Sequence, residues 1–269
     1  MLSYEELIYS KEGRIATITL NRPERLNAWT RIMEEEFMTA IRAAADDKSV
    51  GCVIVTGAGR GFCAGADIHG WAEGQEQLKI EDEWPPALNT NPSRRASPNV
   101  PIALAEAKPV IAAINGPAIG IGLTMALACD IRIASERARF SARFVRVGLI
   151  PECGGSRNLP DVAGIETALE LALTGRIIET SDPLAQKLVS RIVPHDDLLP
   201  EANALATEIA SAPTEAVWMT KREIRRNSVE QSLQSVIATE TQLFSQLQDR
   251  PAHREAVAAF REKREPQWH

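Results

Sequence analysis

Apolar residues recur along this chain with two periods, and the changes of period mark out its elements. From Arg14 to Leu20 the segment RIATITL alternates in the β-branched manner of a half-buried strand, and NRPERLNAW follows as a turn-rich connection. The period then lengthens to 3.6. In TRIMEEEFMTAIRAAADD, Met33, Phe37, Ile41 and Ala44 share one helical face, with glutamates in the first turns where the helix dipole favours them. CVIVTG, Cys52 to Gly57, is a short apolar run closed by glycine, as suits a buried strand. PVIAAI repeats that signature ahead of Asn115, Gly116 and Pro117, and it is followed by a small-residue helix, GLTMALACD, and a strand, IRIA. After a bend at PECGG, ETALELALTG predicts an amphipathic helix stopped by Gly175, and Ser181 with Pro183 predicts the opening of another.

From Leu199 onward the strand signal disappears. SVEQSLQSVIATETQLFSQLQ sets Val229, Leu233, Val236, Leu243 and Leu247 at helical spacing. The pattern predicts an α/β core over residues 1–198 and a helical region over residues 199–269, the latter a small second domain or an oligomerisation arm. Between Trp71 and Val100 no period persists, and Pro, Asn, Ser and charged residues predict a long mobile loop. No fixed-period internal repeat is evident.

Composition narrows the function. Thirty basic against 36 acidic residues leave a net charge of -6, so long-range attraction to nucleic acid is disfavoured. No apolar run approaches the roughly 20 residues that span a bilayer, and the start MLSYEELIYSKEG lacks a basic n-region and an apolar h-region. The expectation is a cytoplasmic protein with no membrane partner. Cys52, Cys63, Cys129 and Cys153 form no C-x-x-C pair, and His69, His195, His253 and His269 show no paired ligand spacing, so no protein-bound metal is expected. Phosphate-loop, complete dinucleotide-binding, nucleophile-elbow and zinc-protease motifs are all missing from the sequence.

Two glycine-rich bends remain, GRGFCAGADI at residues 59–68 and NGPAIGIGLT at 115–124, each following an apolar strand. Glycine lets backbone amides approach a ligand closely, and an amide at a helix start has no intrahelical partner. Two such amides could form an oxyanion hole, although glycines in tight turns alone would give the same pattern.

The strings FCAGADI, NGPAIGIG, ALACDIRIAS and GLIPECGG, in that order, resemble the enoyl-CoA hydratase/isomerase family, the crotonase superfamily, from about Ile15 to the C-terminal REKREPQW. The resemblance implies a crotonase-like spiral of strand-strand-helix repeats with a helical C-terminal region, assembled as trimers or pairs of trimers. It implies an acyl-CoA substrate with no further cofactor, and an oxyanion hole made by the N–H groups of Ala66 and Ile121. It places acyl-CoA binding at Arg25, Ala64, Ala66, Asp67, Ile68, Gly120, Thr124, Phe144, Phe260 and Lys263, the last two reaching a neighbouring subunit's ligand.

The family's hydratases carry two glutamates, and their positions here hold Thr124 and Phe144. Glu152, in IPECGG, instead resembles the base of family members that shift a double bond. A single carboxylate could take a proton from the α-carbon and return it to the γ-carbon, and an apolar pocket would raise its pKa. Enoyl-CoA isomerisation is therefore the leading expectation. A hydratase with a relocated base, an acyl-CoA or carbon–carbon hydrolase, and a non-catalytic acyl-CoA binder are the alternatives. The side chains of Asp67 and Asp130 are read as caps of backbone amides, and Arg143 and Arg146 as surface residues.

Overall fold

The computed structural model describes residues 4–67 and 100–268. Strands β1 (Leu7–Glu12) and β2 (Ile15–Leu20) form an antiparallel hairpin, Glu12 opposite Ile15, turned by Gly13 at φ +54°. β1 was not evident in the pattern because it buries only Leu7. Strands β3 (Cys52–Gly57), β4 (Val110–Ile114), β6 (Ile131–Ser135) and β9 (Arg191–Val193) extend the hairpin in parallel, giving the order β1-β2-β3-β4-β6-β9. A second sheet holds β5 (Pro117–Ile119), β7 (Arg139–Ser141) and β8 (Ile178–Glu179).

The two sheets rise together. β4 passes through Asn115 and Gly116 into β5, and β6 passes into β7, so each turn of the chain lays one strand in each sheet. Below them, Cys63 bridges Ala118 and takes the place of a first rung in the smaller sheet. This is the α/β spiral expected from the resemblance, and its repeat was invisible in the sequence because the rungs of the second sheet are two or three residues long.

Helices cover both faces of the large sheet. Val53, Val55, Val110, Ala112 and Ile114 point into a core shared with α1 (Arg31–Asp46), α2 (Val100–Glu106) and α3 (Ile121–Ala128). Cys52, Ile54, Ile111, Ala113 and Ile133 face the other way, against Leu198, Ala202, Ala206 and Ala210 of α6 (Leu198–Ala210). Burial on both faces accounts for strands that are apolar at every position. α1 starts where the pattern predicted, with the Thr30 hydroxyl accepting from the Met33 N–H, and buries Met33, Phe37, Ala40, Ile41 and Ala44.

Two helices were not foreseen, α2 and α4 (Gly155–Ala163), while α5 (Ile165–Thr174) ends at Gly175 in the left-handed conformation as expected. The helix expected from Ser181 and Pro183 is instead a run of turns with one short 3₁₀ turn, Ala185–Lys187. Asp182 Oδ1 caps the Leu184 N–H, and Ser190 N–H then donates to Arg132 O, drawing the chain into β9 before a helix can grow. The predicted 71–100 loop lies outside the described residues except for Val100, which opens α2.

The C-terminal helices α7 (Thr214–Asn227), α8 (Leu233–Gln248) and α9 (Pro251–Glu262) follow α6. α7 is anchored by a buried charge cluster. Lys221 Nζ lies 2.8 Å from Asp130 Oδ2 and donates to Leu104 O at 2.6 Å and Lys108 O at 3.2 Å. Arg225 binds Asp130 Oδ1 and Ala128 O, and Asp130 Oδ2 also accepts from the Val110 N–H at 2.8 Å. The capping role read for Asp130 is thus present, within a larger network. α8 is helical as predicted, but none of its residues is buried within the chain. No helix among the described residues is long and apolar enough to cross a membrane.

Candidate active site

The two glycine bends meet at the C-terminal ends of β3 and β4. The turn after β3 is gripped by two buried carboxamides. Asn27 Nδ2 donates to Ala58 O and Gly61 O, and Asn115 Nδ2 donates to Gly59 O and Gly61 O. Asn27 itself sits at φ +56°, after Leu26 at φ +51°, an unfavourable pair of left-handed residues offset by these bonds and by Arg22 N–H donating to Asn27 Oδ1. The NRPERLNAW stretch, read from sequence only as a connection, is therefore the template on which the AGAD loop is laid.

Trp29 sets the direction of that loop. Its N–H donates to Gly65 O at 2.8 Å, and its carbonyl accepts from the Asp67 N–H at 2.9 Å. Ala66 lies between these two bonds. In a trans peptide the Ala66 N–H points opposite to the Gly65 carbonyl of the same unit, and so away from Trp29. It meets no acceptor among the described residues. Ala64 is different, because its N–H is committed to Leu26 O at 3.0 Å.

The second bend ends at Gly120, at φ +54°, which begins α3. Gly120 N–H donates to Ser141 O, and Leu123 and Thr124 N–H return to Gly120 O, leaving the Ile121 N–H at the helix start without an acceptor among the described residues. The bends touch: a Cβ on Gly120 would lie 3.9 Å from Gly65 Cα, and one on Gly122 would lie 2.2 Å from Cys63 O. Ala66 and Ile121 are each one residue from the Gly65–Gly120 contact. Ile121 keeps its side chain in the core at 3% exposure, and Phe144, also buried, brings its ring to the Gly120 turn.

Glu152 sits on the loop just before α4. Gly155 N–H donates to Glu152 O, and a Cβ on Gly155 would lie 2.5 Å from Thr124 Cγ2, so this loop packs on α3. Cys153, next to Glu152, is buried with φ +53°. Glu152 is half-buried, and its pKa is raised first by desolvation and then by the nearby negative charge of Glu34, in the first turn of α1. Thr124 turns its hydroxyl back to Gly120 O and Ile121 O of its own helix, at 3.4 and 3.3 Å. All four cysteines are free and buried, with thiols pushed up to about 12 chiefly by burial, which removes them as nucleophiles near neutral pH.

The remaining candidates are spread more widely. Arg25 is exposed on the 3₁₀ turn Pro23–Arg25, beside the template stretch. Asp67 pairs with Arg22, and Ile68 lies outside the described residues. Phe260 is 85% exposed near the end of α9, and Lys263 is its left-handed C-cap. Among the described residues, the chain's own bonds tie α9 to α7 through Arg250 and Glu215 and do not bring Phe260 or Lys263 to Ala66 or Ile121. Arg143 is exposed, and Arg146 donates to Thr174 O. Sequence reasoning missed Arg22, Asn27 and Glu34, which lie far along the chain from the motifs they serve.

Comparison with known proteins gives the class and then the family. The fold matches the enoyl-CoA hydratase of Bacillus anthracis with a TM-score of 0.85 at 30% identity, covering 98% of this chain and 99% of that one. A probable enoyl-CoA hydratase/isomerase of Mycobacterium abscessus matches at 0.84 and 34%, covering 98% of each chain. The spiral is thus that of the acyl-CoA enzymes with a crotonase fold. Residues 10–269 match the enoyl-CoA hydratase/isomerase family, and the chain belongs to it. A probable enoyl-CoA hydratase of Mycobacterium tuberculosis is 35% identical over 99% of both chains, and the 1,2-epoxyphenylacetyl-CoA isomerase of Escherichia coli is 35% identical over 98% of both.

Proposed function

We propose that this enzyme moves the double bond of a β,γ-enoyl-CoA thioester to the α,β position, with Glu152 as its one proton carrier. The observation that carries the reading is the distribution of carboxylates. The positions of the two hydratase glutamates hold Thr124, bonded into its own helix, and buried Phe144, while Glu152 is a half-buried carboxylate with a raised pKa.

In this reading the thioester oxygen accepts from the Ala66 and Ile121 N–H groups, with the positive end of the α3 dipole behind Ile121. Glu152 takes a proton from the α-carbon, and the electron pair moves into a dienolate whose charge rests on the thioester oxygen. The protonated Glu152 then gives its proton to the γ-carbon, the double bond reforms between the α- and β-carbons, and Glu152 is again a carboxylate. The raised pKa makes it a stronger base than an ordinary glutamate once ionised.

The names of several relatives favour a second reading, hydration of an α,β-enoyl-CoA, in which Glu152 alone would activate water. One experiment separates the two. Wild type and Glu152→Gln are incubated with a β,γ- and an α,β-enoyl-CoA in deuterated water, and products are resolved by mass. The expected result is an equal-skeleton product with a shifted double bond from the β,γ substrate, lost in Glu152→Gln. Addition of water to the α,β substrate without isomerisation would replace this reading with the hydratase, and turnover of neither would favour a hydrolase or a binder.

Self-association belongs to the same reading. On α5, Ile165, Leu169 and Leu173 are 65%, 50% and 70% exposed at successive i, i+4 positions, an apolar stripe that a second copy of the chain would cover. A monomeric mass in solution at micromolar concentration would refute it.

A further inference from the structure

We propose that Arg22 is a positioning residue for the Ala66 N–H, acting as a staple across the short ladder that aims it. The inference rests on the oxyanion role assigned to Ala66 above, and the geometry comes from one guanidinium. Arg22 Nη1 donates to Ala28 O at 2.7 Å, its Nη2 lies 3.0 Å from Asp67 Oδ2, and its Nε lies 3.1 Å from Glu6 Oε1. Ala28 is the neighbour of Trp29, and Asp67 is the neighbour of Ala66. Arg22 therefore joins the two strands of the Trp29–Ala66 bridge, adding a side-chain tie to the backbone bonds of Trp29 N–H to Gly65 O, Asp67 N–H to Trp29 O and Ala64 N–H to Leu26 O.

The staple is held at its far side as well. Glu6 Oε2 accepts from the Thr30 hydroxyl, and the same hydroxyl caps α1 by accepting from the Met33 N–H at 3.0 Å. Side-chain exposures of 18% for Arg22, 12% for Glu6 and 20% for Asp67 shield the three charges from water. A planar fork with several fixed donors can meet a carbonyl and two carboxylates at once, which a lysine ammonium cannot do in the same geometry. Without the fork, the peptide unit of Gly65 and Ala66 keeps its backbone bond to Trp29 but loses the side-chain tie between Ala28 and Asp67 that flanks it, so the direction of the Ala66 N–H is less tightly fixed.

The test uses Arg22→Met, Arg22→Lys and Asp67→Asn in the intact enzyme. Turnover of a β,γ-enoyl-CoA is measured together with the infrared carbonyl stretch of bound ¹³C-labelled butyryl-CoA, a saturated thioester with nothing to isomerise. Arg22→Met should lower kcat about a hundredfold, the penalty typical of a misplacement near 1 Å, with KM changed less than about threefold. The carbonyl band should move back toward its position in free butyryl-CoA. Arg22→Lys should recover part of both, and Asp67→Asn, which keeps the side chain's shape, should repeat the direction of Arg22→Met if the latter fails to fold.

A folded Arg22→Met or Asp67→Asn with unchanged kcat and carbonyl band overturns the proposal, as does a raised KM at constant kcat, which would make Arg22 a substrate contact. If the wild type shifts the carbonyl band but isomerises nothing, the isomerase reading fails while the staple stands.

Discussion

Gly122→Ala tests the site at its tightest point. A Cβ built on Gly122 falls 2.2 Å from Cys63 O, 2.8 Å from Cys63 Cβ and 2.9 Å from Cys63 C. Carbon–oxygen contacts in proteins settle at about 3.3 Å or more, so α3 and the Cys63–Ala66 loop must separate by about 1 Å. Neither side is a flexible side-chain end that can move away. Alanine's better helix propensity returns about 1 kcal/mol at most, while overpacking of this kind costs about 1–3 kcal/mol, so the net loss of stability is modest. The consequence for activity is larger. Ile121 is carried on one of the two separating segments and Ala66 on the other, so under the proposed function a thioester oxygen could no longer reach both donors in their original geometry. A displacement of this size is expected to lower kcat by about two orders of magnitude. Turnover of an enoyl-CoA and the melting temperature are measured on the same preparation. Wild-type kcat in a folded Gly122→Ala protein would refute the claim that the contact between the bends sets the donor geometry.

The raised pKa of Glu152 has a stability consequence of definite sign. Below the ordinary carboxylate range both folded and unfolded states hold the proton and folding carries no penalty, whereas above the raised folded-state pKa the folded state must keep a charge that burial and Glu34 disfavour. Glu152→Gln should therefore be more stable than wild type at neutral pH, with the difference closing as pH falls through the carboxylate range; a difference independent of pH would refute the cause assigned. Glu34→Gln should move the acidic limb of the wild-type kcat/KM profile to lower pH, and an unmoved limb would remove Glu34 from the site's electrostatics. Lys221→Met strands Leu104 O and Lys108 O while Asp130 keeps Arg225, so urea unfolding should show a loss of about 3 kcal/mol, toward the low end for a broken buried pair. A loss under about 1 kcal/mol would show that this cluster does not anchor α7.

The sequence alone determined what depends on short stretches of chain. The β2, β3 and β4 strands, the full extent of α1, the Gly175 stop and the glycine bends were legible because each writes its burial pattern or turn chemistry into consecutive residues. The family motifs were legible for a related reason: a close backbone approach forces glycine at a particular place, as Cys63 O forces it at Gly122. Ala66, Ile121 and Glu152 could be nominated from those strings.

Tertiary structure decided the rest. The second sheet left no period, because rungs of two or three residues are fixed by partners above and below rather than by their own composition. The turn at Ser181 carried a helix-start signature, yet pairing of β9 with β6 took the chain elsewhere. Arg22, Asn27 and Glu34 acquired their places only when a connection and a helix start folded against loops that lie some 30 to 120 residues onward, a juxtaposition no local pattern encodes. The Ala66 and Ile121 N–H groups, without an acceptor among the described residues, follow the same logic. A donor's availability depends on what every neighbouring acceptor has already bound, and that is a property of the assembled backbone, not of the residue that carries it.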